Sequence, residues 1–539
     1  MKRVHFLALS LVTLTAAATA PAPEPIALPI VRQPLHLTWF ANFNGKAAVS
    51  LKSYGEQSAY HVLAERTGIT VDFRHPPLGA ERERFNLLLV SGNYPDVIEA
   101  DWFGYPGGSS KALKDGVVIP LNDLIRRYAP NLQALLDRHP EVYRQISTDD
   151  GTIYAFPMLR IDPQVRSVWG PQVRRDWLDK LGLQQPSTID DWYRVLTAFK
   201  TRDPNGNGRA DEIPFSALTI PGEKTVPGLP PPLWVFLGGF GLAPEFYRCG
   251  TRVCYSPAQP AYRDFLATMR KWYREGLLDP DYLAQTERQF DAKMTNGLVG
   301  AYAGYNGSGL ARFTAMNRAR FPGFRLVATP YPLGPGGKRY VTWPEAGQEY
   351  MGVGAAITPA NRHPVETVKF LDYGYSEAGG LALSFGREGV SYTMVNGAPR
   401  YTDRVLKNPK LSVAEAIFAH ARPQQGPLVQ DVRYLRQFYS MPEQLDAVRT
   451  WSDASTELLL PPLEVASADA RKFNAVMSDM KIYVAEMTTR FITGREPLEH
   501  FDAYRRKLDQ AGLPFAVAAM QRALDRYDSK PARPAGEQP

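Results

Sequence analysis

The sequence predicts an α/β protein of more than one domain, on three observations. The chain has 539 residues, whereas a single hydrophobic core stops growing near roughly 250–300 residues. Short apolar runs rich in β-branched and aromatic residues alternate with stretches of helical spacing, the signature of a largely parallel sheet covered by helices. The composition, 44% hydrophobic and 22% charged with no low-complexity block, is that of an ordinary globular protein.

Taken in order, Leu35-His-Leu-Thr-Trp-Phe40 alternates as a strand and breaks into the polar loop Ala41-Asn-Phe-Asn-Gly-Lys46. Residues 53–67 read as a helix leading to the strand Thr70-Val-Asp-Phe73. Residues 81–92 carry helical spacing at Phe85, Leu88 and Leu89, and Pro95-Asp-Val-Ile-Glu-Ala100 is a third strand. In open α/β sheets ligands bind beyond the carboxyl ends of the strands, which directs attention to loops 41–45 and 101–108. Further on, helices are expected around Trp177 and Leu178, over 190–200, 262–276 and 363–375, with strands at 297–303 and 352–358. From Val413 onward the chain reads as predominantly helical, and residues 529–539 as a Pro-rich, disordered tail.

The ends and the charge bound the setting. Lys2-Arg3, a mostly apolar run to Ala18 and the small residues Ala16-Ala-Ala-Thr-Ala20 have the layout of a secretory signal peptide, residues 1–20. No cysteine stands near the cleavage region, which argues against a lipid anchor, and no later run reaches the length of a membrane span. An exported, soluble protein is therefore expected. The formal charge of +7 is small for this length, and no Lys/Arg run marks a nucleic-acid groove. The only cysteines, Cys249 and Cys254, cannot complete a zinc shell, and their spacing in an exported protein favours a local disulfide.

The most specific motif is Asp203-Pro-Asn-Gly-Asn-Gly-Arg-Ala-Asp-Glu212. Ca²⁺ takes six to eight oxygens, and the EF-hand loop supplies them from alternating positions. Those positions here are Asp203, Asn205, Asn207, Arg209 through its carbonyl, and Asp211, with Gly208 at the sharp turn. The twelfth position is Pro214, so Glu212 is the expected last ligand and the loop is not that of a helix-loop-helix sensor.

With these residues in hand, the chain resembles the extracellular solute-binding proteins of carbohydrate ABC importers, nearest the calcium-containing alginate- and oligosaccharide-binding ones. The resemblance rests on Glu83-Arg-Phe-Asn-Leu-Leu-Leu-Val-Ser-Gly-Asn-Tyr-Pro-Asp-Val-Ile98, Gly151-Thr-Ile-Tyr-Ala-Phe-Pro157, Arg175-Asp-Trp-Leu-Asp-Lys-Leu181, the 199–214 segment with the metal loop, and Lys369-Phe-Leu-Asp-Tyr373. It implies a two-lobed α/β fold of the type II periplasmic binding protein kind, with a ligand cleft between discontinuous lobes. The first lobe would comprise residues 30–162 and 353–412, the second 163–352 and 413–528 with the calcium loop. It also implies a periplasmic, monomeric receptor without enzymatic activity, carrying structural Ca²⁺ and delivering an oligosaccharide to transporter permeases.

Sugars present apolar ring faces and rims of hydroxyls, so aromatic plates beside hydrogen-bonding groups are the groups to seek. The candidates are Trp39, Asn42, Asn44, Trp102, Tyr105, Trp234, Tyr302, Tyr305 and Trp343. Arg160 and Arg166 are candidates to pair with a uronate carboxylate, as in alginate, or to form structural ion pairs. The rival readings are a secreted polysaccharide-degrading enzyme, with Glu99, Asp101, Glu345 and Glu349 as candidate carboxylates, and a sugar sensor feeding a receptor kinase.

Overall fold

The computed structural model describes residues 25–218 and 231–531. The signal-peptide expectation, residues 1–20, and positions 532–539 of the expected tail lie outside the described residues.

The main strands are β1 (Leu35–Ala41), β2 (Ile69–Arg74), β3 (Val97–Asp101), β4 (Phe156–Leu159), β5 (Trp169–Arg174), β6 (Ile213–Phe215), β7 (Val299–Tyr305), β8 (Leu326–Ala328), β9 (Tyr350–Ile357) and β10 (Leu428–Val429). They form two sheets, ordered β10-β4-β9-β3-β1-β2 and β8-β5-β7-β6. In the first, β1 lies parallel to both β2 (Leu35 opposite Ile69) and β3 (Trp39 opposite Val97). The helix Ser58–Thr67 that joins β1 to β2 stops at Gly68, whose φ of 79° turns the chain straight into β2. Strand β9 enters antiparallel between β3 and β4, with Val353 opposite Asp101 and Tyr350 opposite Leu159.

Each sheet carries its own core. One gathers Trp39, Ile98, Trp102 and Leu371, the other Trp177, Trp192, Trp272 and Met480. These are two lobes, each assembled from separated stretches of chain. The last passage between them comes later than Val413. Ala416, Ile417, Phe418, Tyr434 and Leu435 pack in the first core, and β10 adds a strand to the first sheet. The chain changes lobe within the helix Pro442–Ser452, whose Val448 joins the first core and Trp451 the second. Helical spacing tells which face of 413–439 is buried, but not against which sheet.

The described start of the expected tail, residues 529–531, continues directly from the last helix. The final helix, Leu513–Ser529, belongs to the second lobe but reaches the first. Arg526 pairs with Asp149 at 2.5 Å, and Lys530 Nζ donates to the carbonyls of Arg144 and Ser147 at 3.2 and 2.6 Å. Nearby, Glu464 accepts from the amide and hydroxyl of Ser109 at 3.2 and 3.0 Å. Among the described residues, no helix is long and apolar enough to cross a membrane.

Candidate ligand-binding cleft

The registers fix which edges of the two sheets face each other. Strands β1 and β3 run parallel, and the carboxyl end of β3 pairs with the start of β9, where the chain has just returned from the second lobe. Loops 42–45 and 102–108 therefore leave the first sheet on the side of the passages. In the second lobe, β5 begins at Trp169 just after the outward passage and pairs with the end of β7, Trp169 opposite Tyr305.

On the first-lobe rim, Asn42 is exposed and Asn44 half-buried. Tyr54, fully buried, organises this loop: its hydroxyl accepts from the Asn44 amide at 2.8 Å, donates to Gln425 Oε1 at 2.5 Å, and lies 3.1 Å from the Asn42 carbonyl. The Asn44 carboxamide is itself engaged, accepting from Lys46 N to cap a short helix. Behind Tyr54 sits Arg422, with its guanidinium 3.9 Å from that ring and 2.9 Å from Glu99 Oε1. Burial opposes the Arg422 charge, but Glu99 and the Tyr60 and Tyr54 hydroxyls outweigh it and raise its pKa.

On the second-lobe side, Trp343 stacks on Trp169 at 4.9 Å between ring centroids, with Trp234 at 6.1 Å and the half-buried Tyr305 edge-on at 5.6 Å. Three candidates thus meet at Trp343, joined there by Trp169, which the sequence places only ahead of the helix holding Trp177 and Leu178. Trp169, Trp234 and Trp343 are buried at the edge of the second core, and Tyr305 is the half-exposed ring of the group. Below them a cavity of about 170 Å³ is walled by Trp169, Phe290, Tyr302, Tyr305 and Phe313, with Glu287, Asp291 and Arg312 also lining it. A larger groove of about 620 Å³ runs between the lobes, bordered by Phe103, Tyr105 and Pro106 on one side and Pro244, Phe246 and Phe473 on the other.

Other candidates are committed elsewhere. Trp39 and Trp102 are wholly buried in the first core, and the Trp102 indole donates to the Gly354 carbonyl at 2.9 Å. Neither is a plate for a ligand: β1 alternation turns Trp39 inward, and the hydrogen bond holds Trp102 under β9. Tyr105 borders the large groove but is mostly buried, and its hydroxyl donates to Asp115; burial and that carboxylate push its pKa up. Arg160 is pinned to the carbonyls of Glu345 and Gln348 at 2.5 and 3.3 Å, and burial lowers its pKa to about 10. Arg166 pairs with Glu349, a structural ion pair between the outward and return passages. Of the four carboxylates weighed as catalytic, Glu99 and Glu349 are each held by an arginine.

The acidic loop between the helix Ile189–Thr201 and β6 folds around Asp203, whose φ is 44°. Its carboxylate accepts from the amides of Gly206, Asn207 and Gly208 at 2.8, 3.1 and 3.0 Å, which lowers its pKa. Asn205 and Asn207 turn toward Asp211, which also lies 3.7 Å from Arg209 Nε. Glu212 is mostly buried, and its Oε1 has no hydrogen-bond partner among the described residues. Burial, with Asp203 and Asp211 beside it, raises the Glu212 pKa. Among the described residues, no three His, Cys, Asp or Glu side chains gather as metal ligands, so this loop depends on its carboxamides and carbonyls for any further oxygens. Cys249 and Cys254 are joined across the hairpin Phe246–Cys249 and Arg252–Tyr255, with Cα atoms 6.0 Å apart.

Comparison with known proteins agrees with this architecture. Fructooligosaccharide ABC transporter substrate-binding protein FusA of Streptococcus pneumoniae is 27% identical over 504 residues, covering 89% of each chain. The crystal structure of alginate-binding protein AlgQ2 without calcium ion superposes with a TM-score of 0.65 at 26% identity, over 92% of this chain and 99% of that one. A structure of the S. pneumoniae FusA EF-hand mutant in complex with fructo-nystose gives 0.67 at 24% identity, over 92% and 99%. Residues 50–380 match the bacterial extracellular solute-binding protein family, and with two lobes flanking an aromatic-lined cleft, the chain belongs to that family and serves to bind a solute.

Proposed function

We propose that the protein captures an oligosaccharide between its lobes and delivers it to an ABC importer from the periplasm, without chemistry on the ligand. The observation that carries this reading is the aromatic cluster of Trp169, Trp234, Tyr305 and Trp343, set on the cleft side of one lobe while the carboxamide loop of Asn42 and Asn44 leaves the cleft side of the other. Rings stack on apolar sugar faces at little rotamer cost, and amides serve hydroxyls. A ligand touching both lobes favours the closed state by its differential affinity for that state. The named substrates of FusA and AlgQ2 support a saccharide. In a thermal-shift panel of neutral and uronate oligosaccharides, at least one class is expected to raise the melting temperature and to be recovered intact. Shortened ligand would establish an enzyme instead, and no shift with any saccharide would remove the sugar assignment.

Structural Ca²⁺ in the 203–212 loop is part of the same reading. Glu212 Oε1, without a partner among the described residues and with its charge disfavoured by Asp203 and Asp211, is the position a dication relieves, and Asp203, Asn205, Asn207, the Arg209 carbonyl and Asp211 would complete the oxygen set. A ligand of the folded state alone stabilises by about 2.7 kcal/mol at a hundredfold excess over its dissociation constant. Chelation with EGTA is expected to lower the melting temperature, and calcium to restore it. Asp203→Ala should melt at the chelated value with or without calcium; a wild-type melt indifferent to EGTA would count against the site.

A further inference from the structure

We infer that the second-lobe cavity is a subsite for one uncharged sugar ring and excludes uronates, an inference that rests on the oligosaccharide reading above. At about 170 Å³ it has the volume of about six waters in the liquid, room for one ring and not for two. Its aromatic walls, Trp169 and Tyr305 on one strand pair and Phe290 and Phe313 on two helices, offer faces on which a sugar ring packs. The Tyr302 hydroxyl is the built polar group. Tyr302 is 3% exposed, and its hydroxyl finds no partner among the described residues. A buried hydroxyl without a hydrogen bond is costly, and a ligand hydroxyl would satisfy it.

The backbone packs closely around Tyr302 and needs glycine to make room for its ring and hydroxyl. A Cβ on Gly309 would stand 2.8 Å from the Tyr302 hydroxyl, and one on Gly304 would stand 2.7 Å from its ring. Gly309 lies in a π-helical turn, Asn306–Ala311, a rare conformation that recurs at functional sites.

Charge decides the ligand class. Arg312 is held by both oxygens of Asp291, so its guanidinium is already neutralised, and Glu287 adds a second, exposed carboxylate. Two carboxylates against one guanidinium leave the lining at a net charge of −1. A uronate brought here meets repulsion and no free guanidinium. Arg160 and Arg166 offer none either, being tied to carbonyls and to Glu349. Lys46 lies in the other lobe, over the rings of Phe418 and Phe438.

Calorimetric titration of the calcium-loaded protein with kestose, maltotriose and cellotriose, and with trigalacturonate and trimannuronate, tests the assignment. At least one neutral trisaccharide is expected to bind and neither uronate. That affinity should fall about tenfold or more in Tyr302→Phe, which keeps the wall and removes one hydrogen bond, and again in Gly309→Ala. Ligand-free melting checks that each variant folds, and Tyr302→Phe decides if Gly309→Ala does not. Uronate binding tighter than neutral binding overturns the inference while oligosaccharide capture stands. So does neutral binding unchanged in Tyr302→Phe, which would move the ring elsewhere. A wild-type protein that binds no saccharide overturns both readings.

Discussion

Arg422→Ala is expected to destabilise the protein by about 3–5 kcal/mol, the usual cost of removing one partner from a buried ion pair. Arg422 is fully buried and Glu99 is 5% exposed, so the loss leaves a carboxylate in the first core with, among the described residues, the Gly426 amide alone to answer it. The guanidinium also accepts no substitute in its other roles: it donates to the Tyr60 hydroxyl at 2.7 Å and underlies the Tyr54 ring. Tyr54 in turn fixes the Asn42 and Asn44 loop, so the variant should also weaken ligand binding. Urea denaturation of the ligand-free protein checks the first effect. A double substitution, Glu99→Leu with Arg422→Met, removes both charges and is expected to lie closer to wild type than Arg422→Met alone. If Arg422→Ala costs less than about 1 kcal/mol, comparable to an exposed pair, the pair is not the anchor described.

Trp343→Ala is the second large effect. Trp343 is 6% exposed and touches Trp169, Trp234 and Tyr305 at once, so truncation opens a void at the junction of the second core and the cleft. Burial losses of this size run to about 3–5 kcal/mol for tryptophan. The same truncation removes the common neighbour of the other three rings, and binding of any saccharide found in the panel should be lost. Trp343→Phe retains an aromatic face and is expected to keep most of the stability with intermediate affinity. Affinity unchanged in Trp343→Ala would place the ligand away from the cluster.

The local pattern was legible where burial follows periodicity. Strands β1, β2 and β3 and the helices Ser58–Thr67 and Glu81–Ser91 stand close to where alternation and helical spacing put them. Of the second-lobe strands, β7 was visible as the small-residue run 297–303, while the short strands β6 and β8 carry no pattern of their own. Two features were not legible for physical reasons. Strand β10 is two residues long and gains its identity only from pairing with β4, so 413–439 read as helices of either lobe. The direction of a side chain just past a strand is set by tertiary contacts, which is why Trp102 reads as a loop plate yet hydrogen-bonds beneath β9. Charge partners are equally hidden: nothing near Arg166 in sequence announces Glu349, nor near Arg312 announces Asp291. The acidic loop was readable as a candidate oxygen set, because its carboxylates and carboxamides all lie within residues 203–212.

The placement of β9 governs the order in which the fold is completed. Residues 350–357 lie between β3 and β4 in the first sheet, yet they are made only after every strand of the second. A chain emerging from its amino end therefore carries β2-β1-β3 with an unpaired edge while the other lobe takes shape. Pairing residue 98 with residue 356 closes a very long loop, and contacts of such sequence separation slow folding. The sheet that begins first finishes last. Its open edge is a surface that other strands can join in the interval, so the protein's hazard on the way to its native state lies in the first sheet rather than in the more compactly encoded second.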